Sequence, residues 1–165
     1  MDPFKPDRKY RPLAPLTYRD GSVDTLDLTL VTPPLSLLSY DGARNRLVLD
    51  TSPFSIFNTK FTTLQEYIVS AMHFHRMTFF RRNIEYDTLH TMLQPLLVGN
   101  QLTVYTHPNL PVQNEKGEVC PLSDVRSPAF VRIVIRIHGI LQFEGRSGTQ
   151  LRIQHSIPKA YSSIA

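Results

Sequence analysis

A single α+β domain, with an antiparallel sheet packed on one long and one short helix behind a disordered N-terminal arm, is the fold that this sequence predicts. Three observations point to it. Residues 131–138 (VRIVIRIH) alternate apolar and polar side chains with the period of two that belongs to a half-buried strand. Leu64, Ile68, Ala71, Met72 and Phe79 fall on one stripe at helical spacing. The chain has 165 residues, enough for one core that buries roughly 70% of the unfolded surface and too few for a second.

Residues 1–22 carry Pro3, Pro6, Pro12 and Pro15 among Lys5, Arg8, Lys9, Arg11 and Arg19, with neither helical nor strand period, and predict an extended basic arm that orders on a partner. The compact domain is expected over 23–165. Residues 24–31 (DTLDLTLV) alternate Leu26, Leu28 and Leu30 with polar neighbours and predict a strand that Pro33 and Pro34 end. After SLLSY, the Asp41-Gly42 turn leads into a strand over 46–50, followed by an irregular link through Pro53. The long helix is expected to open at Thr62 or Thr63, where Thr62 with Gln65 and Thr63 with Glu66 form overlapping capping boxes, and to run to about Phe80.

A shorter helix after Asp87 turns Leu89, Met92 and Leu93 inward and stops at Pro95, which lacks the backbone donor a helix needs. Gly99 closes it, and residues 101–106 (QLTVYT) alternate as a strand. Residues 107–128 hold Pro108, Pro111, Gly117, Pro121 and Pro128 and predict a long interaction loop. A long hairpin ends the chain. Val131, Ile133, Ile135 and Ile137 face one way, Arg132, Val134, Arg136 and His138 the other, and Leu151 and Ile153 alternate with Arg152 and Gln154 after the turn at 145–148.

Composition narrows the function. One cysteine can make neither an internal disulfide nor a cysteine-based zinc site, which suits a reducing compartment. No stretch approaches the roughly 20 apolar residues that span a bilayer, and MDPFKPDRKYRP has charges and prolines where a signal peptide needs an apolar run. Membrane contact is therefore expected to be peripheral. The net charge of +4 is gathered in residues 129–165, where Arg132, Arg136, Arg146, Arg152 and Lys159 face Glu144 alone. Charge collected in one quarter of a chain reads as a basic surface for phosphates, anionic lipid or an acidic protein.

No phosphate-binding glycine loop, nucleophile elbow, zinc-protease helix or EF-hand loop is present, so no catalytic residue, metal site or cofactor is expected. His73 and His75 stand two apart on a helix, about 200° around it, and cannot share a metal. Cys120 in a proline-rich loop reads as inert. Arg132 and Arg136 lie two pleats apart on one side of their strand, and Arg152 is expected to join them across the ladder, giving three guanidinium groups on one face. That face carries no aromatic platform for base stacking, and Phe74, Phe79, Phe80 and Tyr86 are expected in the core with arginines at its rim. In the arm, Tyr10-Arg11-Pro12-Leu13 and Pro15-Leu16-Thr17-Tyr18 are candidate partner motifs, because stiff proline segments dock in aromatic-lined grooves.

The order of basic arm, strands, a helix opened by FTTLQEYIVSAM, a second helix YDTLHTMLQPLL and a hairpin VRIVIRIHGILQFEGR resembles the matrix proteins of rhabdoviruses and related negative-strand RNA viruses. The resemblance covers about residues 40–150 and rests on size, charge and element order. It implies a non-enzymatic structural virion protein that self-associates, bridges ribonucleoprotein and membrane, resides in virion, host cytoplasm or nucleus, and recruits host proteins for budding through its arm. Leu16 departs from the Pro-Pro-x-Tyr budding pattern. On this reading Lys5, Arg8, Lys9, Arg11, Arg132, Arg136, Arg146 and Arg152 contact RNA or anionic lipid, each cation contributing on the order of 1 kcal/mol at a membrane. The alternative expectation is an OB-like subunit that binds single-stranded nucleic acid, argued from the long hairpin and the basic final quarter.

Overall fold

The computed structural model describes the backbone of residues 11–15, 17–20, 23–26 and 28–164 apart from 108, 127 and 147, and side chains from residue 28 to 163 with the same three exceptions. Its elements are β1 (Arg11–Pro15), β2 (Thr17–Asp20), β3 (Val23–Leu26), β4 (Leu28–Val31), β5 (Leu35–Asp41), β6 (Arg46–Asp50), α1 (Ser55–Phe74), α2 (Arg76–Phe80), α3 (Tyr86–Met92), β7 (Leu93–Gln94), β8 (Leu97–Val98), β9 (Gln101–Tyr105), β10 (Pro111–Gln113), β11 (Val119–Pro121), a 3-10 turn at Leu122–Asp124, β12 (Ala129–Gly145) and β13 (Gly148–Ile164). The fold is α+β, as the sequence predicts.

The hairpin β12-β13 is the spine of the sheet. Alternation puts Val131, Ile133, Ile135 and Ile137 on its inner face, each at most 1% exposed, while Arg132 and Arg136 are exposed on the other. The two strands close at Gly145 opposite Gly148, where φ of +108° at Gly148 suits only a residue without Cβ. The free edge of β12 is shared by three antiparallel strands, with β5 at Phe130 and Val131, β4 from Val134 to Ile137 and β1 from Gly139 to Gln142. From β5 the sheet continues through β6 and β9 to β8, all antiparallel.

The sheet then bends back on itself. β7 and β8 belong to one short segment, and β7 pairs in parallel with β13 while β8 pairs with β9. The two ends of the path β13-β12-β5-β6-β9 are bridged in this way, which turns the sheet into a ring around a single core. Leu35, Leu47, Leu49, Leu102, Val104, Val131, Ile133, Leu151 and Ile153 supply that core from five strands. α1 lays Phe61, Ile68, Val69 and Met72 on it, and α3 adds Leu89. Gln65 holds α1 in place: its Oε1 accepts from the N–H groups of Leu96 and Leu97, and its Nε2 donates to Leu97 O.

Several expectations are corrected. α1 begins at Ser55, seven residues before Thr62 and two after Pro53. Its start is held by Asn58, whose Nδ2 donates to Thr51 O and whose Oδ1 accepts from Thr51 Oγ1. Thr63 is interior to the helix and turns its hydroxyl back to Thr59 O, so the predicted capping boxes do not form. The helix breaks at His75 and resumes as α2. The strand predicted over 24–31 is two strands with different partners, β3 on β2 and β4 on β12.

The stretch 107–128 is structured for much of its length. Buried Leu110, Val112 and Leu122 anchor β10, β11 and the 3-10 turn, and β10 pairs in parallel with β13. Of the predicted arm, Lys5, Arg8, Lys9 and Tyr10 lie outside the described residues. The backbone of Arg11, Leu13 and Pro15 runs in β1 along β12, and that of Tyr18 runs in β2, which pairs with β3 in a separate two-stranded sheet.

Candidate functional site: the outer face of the hairpin

Register decides which side chains share the exposed side of β12 and β13. Directly opposite pairs on an antiparallel ladder point the same way, so Phe130 with Ser163, Arg132 with Tyr161, Val134 with Lys159, and Arg136 with Ser156 form four consecutive outward rows. β4 widens the face, with Val31 beside Val134 and Thr29 beside Arg136. Arg132 and Arg136 are four residues apart, roughly 13 Å along the strand, with Lys159 between them on the neighbouring strand. Among the described residues, the salt bridges join Asp41 to Arg44 and Arg46, and no carboxylate lies at salt-bridge distance from Arg132, Arg136 or Lys159.

Aromatic side chains stand beside these cations. Phe130 is 38% and Tyr161 36% exposed, and Val31 is exposed next to them. Together with Arg132, Val134, Gln113, Asn114 and Glu115 they line an open groove of about 580 Å³ between the hairpin and the β10-β11 turn. The turn is stiffened by Asn114, whose Oδ1 accepts from the N–H groups of Lys116 and Glu118. The expectation that this face lacks an aromatic platform is therefore corrected. β13 continues past Pro158 because the shift in register between Val134 and Arg136 falls opposite that residue, where no ladder donor is needed. Counting the pairs back from the Gly145-Gly148 turn places Tyr161 opposite Arg132.

Arg152 does not join the cluster. It stands opposite Leu141, five positions along β12 from Arg136, roughly 16 Å away. Its guanidinium carbon sits 4.2 Å from the centre of the Tyr105 ring, a cation-π contact at the ring junction between β13 and β9. Arg146 lies at the exposed tip of the hairpin, farther still. Two of the predicted hairpin cations are thus brought together, Arg132 and Arg136, and Lys159 completes the group. Arg11 and Pro15 are paired backbone positions in β1 and Tyr18 one in β2, while Leu13 falls at the register shift between Pro12 and Ala14.

The remaining candidates divide. His73 stacks edge-on against Tyr86 at 5.8 Å and His75 against Phe74 at 4.9 Å, each with its own aromatic. Among the described residues no group of three or more His, Cys, Asp and Glu side chains converges. Cys120 is half-buried in β11. Phe79, Phe80 and Tyr86 are partly buried, but Phe74 is 79% exposed, against the expectation of a core position.

The chain was compared with protein-family models, curated proteins and solved structures, and none of them matches.

Proposed function

We propose that this protein is a non-enzymatic module that binds single-stranded nucleic acid on the outer face of β12 and β13. The observation that carries the reading is the row in which exposed Tyr161 stands opposite Arg132, flanked by Phe130 on one side and by Lys159 and Arg136 on the other. Proteins that bind single strands combine a cationic track for the backbone with aromatic faces on which bases stack. The five-strand ring β5-β6-β9-β13-β12 supports the ligand class, since it resembles the small Greek-key barrels of OB type, which bind oligonucleotides on the face of their second and third strands, here β6 and β9; the choice of the β12-β13 face rests on its own side chains.

Phosphates would meet Arg132, Lys159 and Arg136, and unstacked bases would lie on Tyr161 and Phe130. Because no carboxylate among the described residues pairs with the three cations, binding sacrifices no ion pair there. The test is fluorescence anisotropy with labelled single-stranded and duplex oligonucleotides over a range of salt. Replacing Arg132, Arg136 and Lys159 together with Ser is expected to flatten the log-log salt slope by about 2, at roughly 0.7 per phosphate contact on a single strand. A slope that does not change removes this face from the site. If oligonucleotides do not bind, while the chain assembles with concentration and co-sediments with anionic vesicles, the matrix-type reading replaces this one.

A further inference from the structure

Four of the large apolar side chains most open to solvent lie far from the hairpin, on one stripe of the helical layer. Ile56 is 72% exposed, Tyr67 65%, Phe74 79% and Met77 58%. With Lys60, Thr63 and Ser70 they occupy positions 56, 60, 63, 67, 70, 74 and 77, alternating steps of four and three residues. On α1 positions 56 to 74 form a straight seam, opposite the buried Phe61, Gln65, Ile68, Val69 and Met72 that face the core, and Met77 follows in α2 beyond the break at His75. An amphipathic helix ordinarily turns charges to water on this side. Here the helix has a second apolar seam, and exposed patches of that kind mark interaction surfaces.

Period and charge identify the occupant. An average step of 3.5 residues is the spacing at which one helix receives the side chains of another. Residues 55–82 carry Lys60, Arg76, Arg81 and Arg82 against Glu66 alone. Arg76 is engaged with Asn83 and with His73 O, which leaves Lys60 near one end and exposed Arg81 and Arg82 beyond Met77 at the other. Arg81 is tied to this end by its N–H, which donates to Met77 O.

A second copy of the chain does not complement this surface. Antiparallel pairing of two such seams would bring Arg81 and Arg82 to the start of the partner's α1, whose first turn has no acidic residue. Asp50, five residues before α1, is the closest preceding carboxylate in sequence and is shared with Ser52 N and Oγ, so one carboxylate would face two arginines. Parallel pairing would set the arginines against each other. We propose that the Ile56, Tyr67, Phe74 and Met77 seam docks an acidic amphipathic helix of a different protein, its apolar side chains on the seam and its carboxylates on Lys60, Arg81 and Arg82. This surface is separate from the hairpin face and does not depend on nucleic-acid binding there.

The experiment uses the full chain and a designed helical peptide of about three heptads, with Leu at the seam positions and Glu on both flanks, beside a second peptide in which every Glu is Lys. Amide resonances of the ¹⁵N-labelled chain are followed during titration. The acidic peptide is expected to shift signals of residues 56–82 and to bind at least about tenfold tighter than its Lys counterpart. The double substitution Tyr67→Ser with Phe74→Ser is expected to weaken it by at least about tenfold while the rest of the spectrum stays as in the parent chain, since both side chains are largely outside the core. Equal affinity for the two peptides, shifts confined to the hairpin, or undiminished binding by the double variant would overturn the proposal. So would a homodimer in sedimentation that Phe74→Ser dissolves, or an oligonucleotide that shifts residues 56–82.

Discussion

Tyr105 donates its backbone N–H to Nε2 of His155 at 3.0 Å, a bond between the last residue of β9 and the interior of β13. The two strands share no ladder of their own, so the imidazole stands where a neighbouring strand would supply a carbonyl. Its other nitrogen, Nδ1, lies 2.9 Å from Ile153 O. One neutral tautomer satisfies both contacts, with the proton on Nδ1 and the lone pair on Nε2. Arg152 stacking on Tyr105 closes the same junction from outside.

That arrangement makes stability depend on acid. Burial, the largest cause, lowers the pKa of His155 from 6.5 to about 4; the bond to Ile153 O opposes this, and the charges of Arg152 and His138 add to it. Below pH 6.5 the unfolded chain takes up a proton at this site that the folded chain refuses. The contribution is therefore intact above pH 6.5 and is lost as pH falls to about 4, where it amounts to about 3 kcal/mol. Urea midpoints measured at steps across this range are expected to fall with pH, and His155→Gln is expected to flatten that dependence. Parallel curves for parent and variant would show that the imidazole is not the cause.

Gln65 is the polar pin between α1 and the β7-β8 segment that completes the ring. Gln65→Leu is close in size but leaves the buried N–H groups of Leu96 and Leu97 without their acceptor, and a loss of about 2–6 kcal/mol is expected, at about 1–3 kcal/mol for each orphaned group. Chemical denaturation measures it. Gln65→Glu keeps the acceptor oxygens and is expected to retain more of the stability than Gln65→Leu near neutral pH; the reverse order would contradict the hydrogen-bonding role.

On the hairpin face, Phe130→Ala and Tyr161→Ala are each expected to weaken single-strand binding by about 1–3 kcal/mol without altering its salt slope, because stacking releases no counterions. Anisotropy titrations at several salt concentrations separate the two effects. A change in slope with unchanged affinity at low salt would mean that these rings act on the phosphate track and not on bases.

Much of the architecture is written locally. Alternation along 131–137 announces a strand with one buried face, and the glycines at 145 and 148 announce its return. Whether a side chain points in or out depends only on its neighbours two residues away. The helix start is hidden from the local pattern because Thr62 and Thr63 carry the signature of a cap, while the actual anchor is Asn58 reaching across to Thr51 before the helix. The position of Arg152 was legible, since counting from the turn sets it opposite Leu141 and away from Arg136. Tyr161 was legible in the same way, once the strand is carried through Pro158.

By itself, then, the sequence determined the α+β class, the inward and outward sides of the long hairpin, and the two outward arginines on β12, because each follows from short-range period and turn chemistry. Tertiary structure alone decided that the sheet closes into a ring, that Arg152 is drawn onto Tyr105, and that the Ile56, Tyr67 and Phe74 side of α1 stays open to solvent. Each of these depends on which distant segments meet. Tyr105 and His155 are fifty residues apart, and local pattern holds no record of such a meeting until the shared core brings the strands together.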